Sequence, residues 1–178
     1  MDVKKATDAA WAFWKIVGVG AIIALLILIY GRGGFVVVSG RSMEPTYHDG
    51  DVLHADKVKR AEQIMRGDVI VFDRPGDPSD ELIKRVIGLP GETLVFTDDG
   101  ILADGLWIPD AFAAVTEYPE EPITLGENQF YVMGDNRQHS VDSRVFGPVD
   151  FDLVRTRAGK KAGFTTWLYG LFSKKGGE

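Results

Sequence analysis

The sequence predicts a mainly β protein built of folded antiparallel sheets, with one membrane-spanning helix at its N-terminus. Residues 16–30 contain no charged residue, which predicts the helix. Short β-branched and apolar segments follow, separated by Gly, Pro and Asp clusters, which predicts strands joined by turns. No long amphipathic helical pattern occurs before the C-terminal tail. The part after the helix is therefore expected to form a folded or partly closed system of sheets.

The composition restricts the classes of function. The 178 residues have room for one globular domain and a short appendage. The net charge of −6 argues against nucleic-acid binding, because such proteins carry basic surfaces. The lack of cysteine excludes disulfides, thiolate metal sites and cysteine nucleophiles. We expect no nucleic-acid partner, no cofactor and no metal.

The uncharged segment is best explained as a membrane anchor. Its fifteen residues would span about 22 Å as a helix, short of the ~30 Å hydrocarbon core, and extension back to residue 9 supplies the missing turns. Lys15 then lies near one end, where its ammonium can snorkel to the headgroups. A cleaved signal peptide would usually have a shorter core and a small-x-small site after it. A core helix that is apolar all round would be unusual in so small a domain.

The charges beside this segment predict its orientation. Three lysines precede it or lie at its start, whereas Arg32 is the only early charge after it. The positive-inside bias therefore puts the N-terminus in the cytoplasm. We divide the chain into a cytoplasmic terminus with a single anchor, residues 1–32, and an extracytoplasmic domain, residues 33–178.

Seven segments of the second part have strand character. They are residues 35–38, 51–58, 68–72, 82–87, 93–96, 130–133 and 144–149. The stretch 98–125 is rich in Pro, Gly and acids, and we expect it to be a reduced cap or insertion. Residues 155–178 are expected to form a basic, aromatic tail, which could lie against an anionic membrane surface.

The first polar group of interest surrounds Ser42. This serine follows a predicted strand and Gly40, and it leads into a turn that contains Pro45. Such a turn can expose a hydroxyl and leave backbone N–H groups free, although Ser, Gly and Pro also form ordinary turns. A serine needs a base to become a nucleophile. Histidines are candidates, but surface positions explain them more simply. They are His48, His54 and His139.

The second group is a pair of basic residues within an apolar strand. Lys84 shares a strand face with Leu82 and Val86, and Arg85 lies on the other face. One of the two is expected to reach solvent or form a salt bridge. The alternation of side chains along the strand does not say which one. Chemistry favours burial of Lys84, because burial lowers the pKa of a lysine towards neutrality. A neutral amine can accept a proton from serine, whereas arginine stays protonated.

The third group is the polar run 134–149, which follows an apolar strand. Its two acids, Asp135 and Asp142, could each pair with an arginine of the same run. The arginines are Arg137 and Arg144. The acidic spacing does not fit an EF-hand calcium loop. So many hydrogen-bonding groups between apolar segments predict a buried polar network rather than a solvated loop.

These groups occur in order behind an N-terminal anchor, and together they resemble signal peptidase I, the Ser-Lys endopeptidase (S26 family) of bacterial plasma membranes. Four motifs carry the resemblance, which covers the chain except for the acidic stretch and the tail. They are Ser42-Met43-x-Pro45-Thr46, residues 67–72, residues 84–92, and Gly134-Asp135-Asn136-Arg137 with Ser140, Asp142-Ser143-Arg144 and Gly147. Any one motif would be weak, but four in register are strong. The lysine argues against the archaeal and endoplasmic-reticulum branch, which has histidine there.

The resemblance implies a role for each matched residue. Ser42 would attack the scissile carbonyl, and Lys84 would be the general base that later protonates the leaving amine. Ser140 would hydrogen-bond to that lysine and orient it. An ion pair and a nearby carboxylate would support the site. These are Asp142 with Arg144, and Asp135.

The resemblance also implies an oxyanion hole. The backbone N–H of Ser42 would hold the oxyanion, and some members add the hydroxyl of a serine two residues earlier. Gly40 occupies that position here, so the second donor lacks a side chain. A missing donor can cost orders of magnitude in rate, and we expect a backbone group or a water to substitute.

The implied fold is the largely β Ser-Lys protease fold with a reduced cap. The implied activity is the removal of N-terminal signal peptides from exported preproteins, with cleavage after small residues in an Ala-x-Ala pattern. The implied partners are signal peptides, the lipid bilayer and a protein-export translocon at the plasma membrane. Alternatives are a specialised peptidase of the same clan, such as a pilin maturase or self-cleaving regulator, and an inactive membrane-tethered binding module.

Overall fold

The structure, a computed structural model, describes residues 11, 14–22, 33–112 and 118–162. Contacts divide the chain into two units, Met1–Gly34 and Phe35–Glu178. In the first unit, residues 14–22 are helical. Among the residues that the structure describes, no helix is both long and apolar enough to cross a membrane. The predicted anchor, residues 16–30, lies partly outside the described residues.

A seven-stranded sheet, which belongs to the second unit except for the first two residues of β1, has the order β1-β2-β11-β3-β4-β9-β10. Its strands are β1 (Gly33–Val37), β2 (Val52–Asp56), β3 (Val69–Arg74), β4 (Asp77–Gly88), β9 (Gln129–Met133), β10 (Val149–Asp150) and β11 (Val154–Lys161). From β2 to β10, neighbouring strands are antiparallel. Strand β4 is therefore an interior strand, paired with β3 on one side and, towards its C-terminal end, with β9 on the other.

Strand β3 shows why the sheet is buried on both faces. Ile70 and Phe72 belong to one hydrophobic cluster, while Val69 and Val71 belong to another. Side chains of a strand alternate between faces, so a continuous apolar run indicates a strand covered on both sides. The buried Met43, from the loop that follows β1, joins the second cluster.

A smaller four-stranded sheet packs against the C-terminal part of β4 and against β9. Its order is β7-β6-β5-β8, with β5 (Thr93–Thr97), β6 (Gly100–Ala103), β7 (Leu106–Ile108) and β8 (Ile123–Thr124). The stretch 98–125, expected to be a cap outside the core, supplies Ile101 and Leu125 to a buried cluster with Tyr131 and Met133. That expectation needs correction, because Ile101, Ala103 and Leu125 of this stretch are buried in the cluster, although Leu106 and Trp107 are exposed.

The expected tail also needs correction. Residues 155–161 belong to β11, which pairs with both β2 and β3 in the middle of the large sheet. Three of the four basic residues of this strand form ion pairs, including Arg155 with Asp73 and Lys161 with Asp51. A basic composition is therefore compatible with a central strand. Residues 163–178 lie outside the described residues.

The predicted mainly β class is confirmed, and six of the seven predicted strand segments coincide with observed strands to within a few residues. The seventh, residues 144–149, is wrong. A short helix, Ser143–Phe146, begins there, and only Val149 enters a strand. The reason is local, because the Asp142 side chain accepts a hydrogen bond from the Arg144 N–H and caps the helix. Gly147, with φ of 81°, ends it.

Candidate active site

Ser42 lies in the loop that connects β1 to β2. The base of this loop is closed by backbone hydrogen bonds from Val38 N–H to Asp51 O and from Gly50 N–H to Val38 O. The next residue, Met43, is fully buried, so the loop is held against the sheet at that point. Ser42 itself stays partly exposed at the surface of a cleft.

Lys84 brings its side chain to Ser42 from β4. Its Nζ lies 2.9 Å from Ser42 Oγ and donates a second hydrogen bond, also 2.9 Å, to Ile83 O. Lys84 is only 3% exposed. Burial lowers the pKa of Lys84 to about 8, and the negative charges of Asp142 and Asp80 oppose that shift. The 2.9 Å contact places the Ser42 hydroxyl and the Lys84 amine within hydrogen-bonding distance of each other.

The cleft around these two residues has a volume of about 260 Å³. Its wall combines apolar and polar side chains in about equal shares. The apolar residues are Val36, Val37, Val71, Leu82, Ile83 and Val141, and the polar ones include Ser39, Glu81 and His139. A peptide bound here would meet both apolar and polar side chains beside the Ser42 hydroxyl.

Asp142 and Arg144 form the expected ion pair behind the site. The Asp142 carboxylate is fully buried and accepts hydrogen bonds from Arg144 Nε (2.8 Å) and Nη2 (2.9 Å) and from Gly134 N–H (2.9 Å). Burial by itself raises the pKa of Asp142, but the hydrogen bonds from Arg144 and Gly134 outweigh it, and the net pKa is lowered. Arg144 also donates to Arg137 O (2.6 Å), so the pair stabilises the polar loop.

Asp135 pairs with Arg85, and not with an arginine of its own run as the sequence had suggested. Its carboxylate accepts from Arg85 Nε (2.7 Å) and Nη2 (2.6 Å) and from Thr46 Oγ1 (2.5 Å). Arg85 is thus the basic residue of the β4 pair that forms a salt bridge. Because Thr46 belongs to the Ser42 loop, this cluster joins that loop to β4 and to the segment after β9.

Ser140 lies close to the site without the expected hydrogen bond. Its hydroxyl is buried and has no hydrogen-bond partner among the described residues, and the Lys84 amine bonds to Ser42 and Ile83 O instead. The hydroxyl is near enough to Asp142 to help lower the pKa of that carboxylate, although the two groups are outside hydrogen-bond geometry. Gly134 lets Ser140 pack directly against the segment after β9, because a Cβ on Gly134 would lie 2.2 Å from Ser140 Oγ.

The two expected oxyanion donors differ in whether their N–H groups are already hydrogen-bonded. Gly40 has φ of 83°, and its N–H donates to Asp49 Oδ1 (2.8 Å), so this amide is already engaged. The N–H of Ser42 has no hydrogen-bond partner in the described part of the chain. It is therefore the amide that stays available beside the hydroxyl.

None of the three histidines forms a hydrogen bond with Ser42, although His139 lines the same cleft. His48 lies 4.0 Å from Asp51, the His54 ring packs 5.0 Å from the Phe35 ring, and His139 Nδ1 lies 3.1 Å from Asn136 Oδ1. Their interpretation as ordinary surface residues agrees with these contacts.

Two parts of the site were not predicted. Arg137 is buried and forms a bidentate ion pair with Asp110, at 2.5 Å for each contact, and its Nε donates to Gly134 O (3.0 Å). Asn136 contacts the Ser42 loop through both its backbone and its side chain. Both residues lie in the Gly134-Asp135-Asn136-Arg137 motif and in a polar run after an apolar strand, but neither signal indicated their partners.

The fold and cleft together are typical of a β-sheet peptidase. The chain belongs to the signal peptidase, peptidase S26 family, because residues 10–161 match the family's sequence profile. Signal peptidase I of Bacillus licheniformis is 34% identical over 154 residues, covering 79% of this chain and 80% of that protein. Subunit 1 of the mouse mitochondrial inner membrane protease is 36% identical over 126 residues, covering 70% of this chain and 66% of that protein. The enzyme class predicted from the motifs is confirmed.

A solved structure is also similar. The crystal structure of a signal peptidase I from Enterococcus faecalis has 29% sequence identity and a TM-score of 0.46, and the match covers 56% of this chain and 97% of that one.

Proposed function

We propose that this protein is a serine endopeptidase that removes signal peptides from preproteins, with Ser42 as nucleophile and Lys84 as general base. The observation that carries the proposal is the 2.9 Å contact between Ser42 Oγ and the Nζ of a lysine that is almost fully buried. A lysine has a strong preference for water, so its burial next to a hydroxyl needs a reason. Activation of a nucleophile is such a reason.

The reaction follows from this arrangement. The neutral Lys84 amine accepts the Ser42 proton while Oγ bonds to the scissile carbonyl carbon, and the carbonyl oxygen takes the negative charge. The intermediate then collapses, the C–N bond breaks, and the Lys84 ammonium protonates the leaving amine. Water, deprotonated by Lys84, attacks the resulting ester. The Lys84 ammonium then returns the proton to Ser42 Oγ as the ester bond breaks, which releases the new carboxyl end. The Ser42 N–H would stabilise both oxyanions.

The pKa of Lys84 suits this role. At a pKa of about 8, about one tenth of the lysine is neutral at pH 7, compared with less than about one in a thousand for an exposed lysine. The bond to Ile83 O uses one N–H of the neutral amine, which leaves the nitrogen lone pair for the Ser42 hydroxyl.

The cleft supports a preference for small side chains. A volume of about 260 Å³ is below that of a typical ligand pocket. The apolar part of the wall, which includes Val36, Leu82 and Ile83, suits alanine at positions −1 and −3 of a preprotein. Relatives named signal peptidase I support this substrate class.

The membrane topology belongs to the same proposal. The uncharged residues 16–30 would anchor the chain, and the lysines before them would keep the N-terminus in the cytoplasm. The domain from residue 33 onward would lie outside the plasma membrane, beside the bilayer and the export translocon that delivers preproteins.

The test uses the purified full chain in detergent with a preprotein that carries an Ala-x-Ala site. We expect cleavage at that site, identified by mass spectrometry of the mature N-terminus, and its loss in Ser42→Ala. Ser79→Ala, an exposed serine distant in the β3–β4 hairpin, is the matched control and should keep the wild-type rate. Normal cleavage by Ser42→Ala would overturn the proposal, and a panel of preproteins would separate a generalist from a dedicated enzyme.

A further inference from the structure

We propose that Asn136 is a positioning residue that orients the Arg41–Ser42 peptide, so that the Ser42 N–H points at the developing oxyanion. This inference rests on the proposed function, because it concerns the transition state of peptide cleavage. Asn136 would act through the peptide it holds and would not touch the substrate.

Asn136 binds two successive carbonyl groups of the Ser42 loop. Its backbone N–H donates to Ser42 O (3.0 Å), and its side-chain Nδ2 donates to Arg41 O (3.2 Å). These contacts join residues that are 94 and 95 positions apart in the sequence. The loop that carries the nucleophile is therefore held by the polar segment after β9 at the peptide units on both sides of Ser42.

The contact with Arg41 O controls the direction of the Ser42 N–H. These two groups belong to one planar trans peptide unit and point in opposite directions. A donor that fixes the carbonyl on one side therefore fixes the N–H on the other. Glu44 N–H also donates to Arg41 O (3.2 Å), but it belongs to the same loop and would move with it. Asn136 ties the unit to a different part of the fold.

That part of the fold is itself well held. Gly134, two residues before Asn136, donates its N–H to the buried Asp142, and a Cβ on Gly134 would lie 2.6 Å from Ser42 O. Asp135, the adjacent residue, forms the ion pair with Arg85. Asn136 thus projects from a segment fixed by buried charges on either side.

The side chain of Asn136 has only one chemically consistent orientation. Arg41 O is an acceptor, so the atom that faces it must be the NH₂ group of the amide. The Oδ1 atom then faces His139 Nδ1 at 3.1 Å, and the histidine must donate from Nδ1. The imidazole therefore supports the rotamer that places the amide donor on Arg41 O.

This positioning matters more in this chain because the oxyanion hole has few donors. Gly40 offers no hydroxyl, and its N–H is engaged by Asp49. The Ser42 N–H would have to supply much of the stabilisation, and its orientation decides how much. Complete loss of one oxyanion donor costs about 10²–10³ in rate. Loosening the peptide while keeping the donor should cost less, about 10- to 100-fold.

The experiment compares Asn136→Ala with wild type in the preprotein cleavage assay. We expect kcat to fall about 10- to 100-fold, with KM unchanged within about twofold, because the oxyanion exists only in the transition state. The acid limb of the pH–rate profile should stay in place, since Lys84 is not affected. Asn128→Ala is the control, because Asn128 is exposed and only its backbone carbonyl is hydrogen-bonded.

Other outcomes would overturn the inference. An unchanged kcat would show that Asn136 is not needed, a raised KM with normal kcat would assign it to substrate binding, and a displaced acid limb would assign it to Lys84. If Asn136→Ala does not fold, Asn136→Asp, which has nearly the same shape but no donor for Arg41 O, replaces it with the same criteria. Failure of the wild type to cleave would instead refute the proposed function.

Discussion

Lys84 and Arg85 are neighbours on β4, and both lie largely out of solvent, but their surroundings are opposite. Lys84 meets a neutral hydroxyl and a backbone carbonyl, and burial lowers its pKa to about 8. Arg85 meets the carboxylate of Asp135 through two hydrogen bonds, which raise the pKa of the arginine. Its guanidinium also lies 5.2 Å from the centre of the Phe112 ring.

The difference between them lies in the counter-charge. A buried cation without a close carboxylate is destabilised in its charged form, and the site gains a base. A buried cation on a carboxylate keeps its charge and becomes a structural connection between segments. The sequence places the two residues on alternate sides of one strand, and the fold supplies a carboxylate to only one of them. Substitutions on each side of β4 should therefore have different consequences.

The largest effect is expected for Lys84→Arg, which retains a cation but cannot release its proton near neutral pH. Loss of the base should reduce kcat/KM by at least about 10³-fold. The measurement is the rate of preprotein cleavage by the full chain. Lys160→Arg, the same replacement at an exposed position in β11, should keep the wild-type rate.

A second variant separates loss of the base from loss of the fold. It is needed because a permanent charge at the buried position 84 is itself destabilising. Lys84→Met fills the same space without a charge and should be at least as thermally stable as wild type, while also inactive. Substantial cleavage by Lys84→Met would mean that another group is the base.

The next effect, on stability, is expected for Arg85→Met. This change leaves the buried Asp135 carboxylate without its ion pair, which should lower the free energy of unfolding by about 3 kcal/mol. The measurement is the thermal midpoint of the full chain in detergent. Adding Asp135→Asn to the same chain should restore part of the loss, because the orphan charge is then removed.

The control for Arg85 is Arg155→Met. Arg155 also makes two hydrogen bonds to one carboxylate, that of Asp73, but its side chain is 57% exposed. We expect little change in the thermal midpoint, because water replaces the lost partner. If both arginine variants were equally destabilised, the proposed contrast between buried and exposed pairs would be wrong.

The parts of this site that could be predicted from the sequence are those determined by a residue's own chemistry or by its neighbours along the chain. The contact between Ser42 and Lys84 could be predicted, because few residue types can perform the chemistry proposed for them and both lie in motifs. The contact of Asp110 with Arg137 could not, since it joins positions 27 apart and Asp110 lies in a stretch interpreted as a cap. The same holds for Asn136 and Arg41, which are 95 positions apart.

The fold was predictable to a similar degree. Alternation and turn residues located most strands, since they depend on neighbouring residues. Strand β11 was missed because its arginines and lysines are typical of a solvated tail, and only its partners in β2 and β3 explain them. The helix at 143–146 was missed because its capping residue, Asp142, was assigned to the ion pair instead.

The smallest predicted effect concerns the charges that surround Lys84. Under the proposed mechanism the neutral amine is the active form, so kcat/KM should rise with pH and level off above about 8. Asp142 and Asp80 both raise the pKa of Lys84 and so oppose the effect of burial. Asp80→Asn should therefore lower that pKa, move the rise in activity to lower pH, and increase the rate at pH 7.

This increase should be about twofold or less, because Asp80 is partly exposed and already paired with Arg74 (3.3 Å). In 1 M salt, where the screening length is about 3 Å, Asp80→Asn and wild type should converge, while the limb near pH 8 persists because burial is not screened. Asp77→Asn removes a charge from the same strand that does not influence Lys84, and its profile should match wild type. If the rise of the pH–rate profile moved in high salt to the pH at which an ordinary lysine titrates, surface charge rather than burial would be the cause of the difference in pKa shift between Lys84 and Arg85.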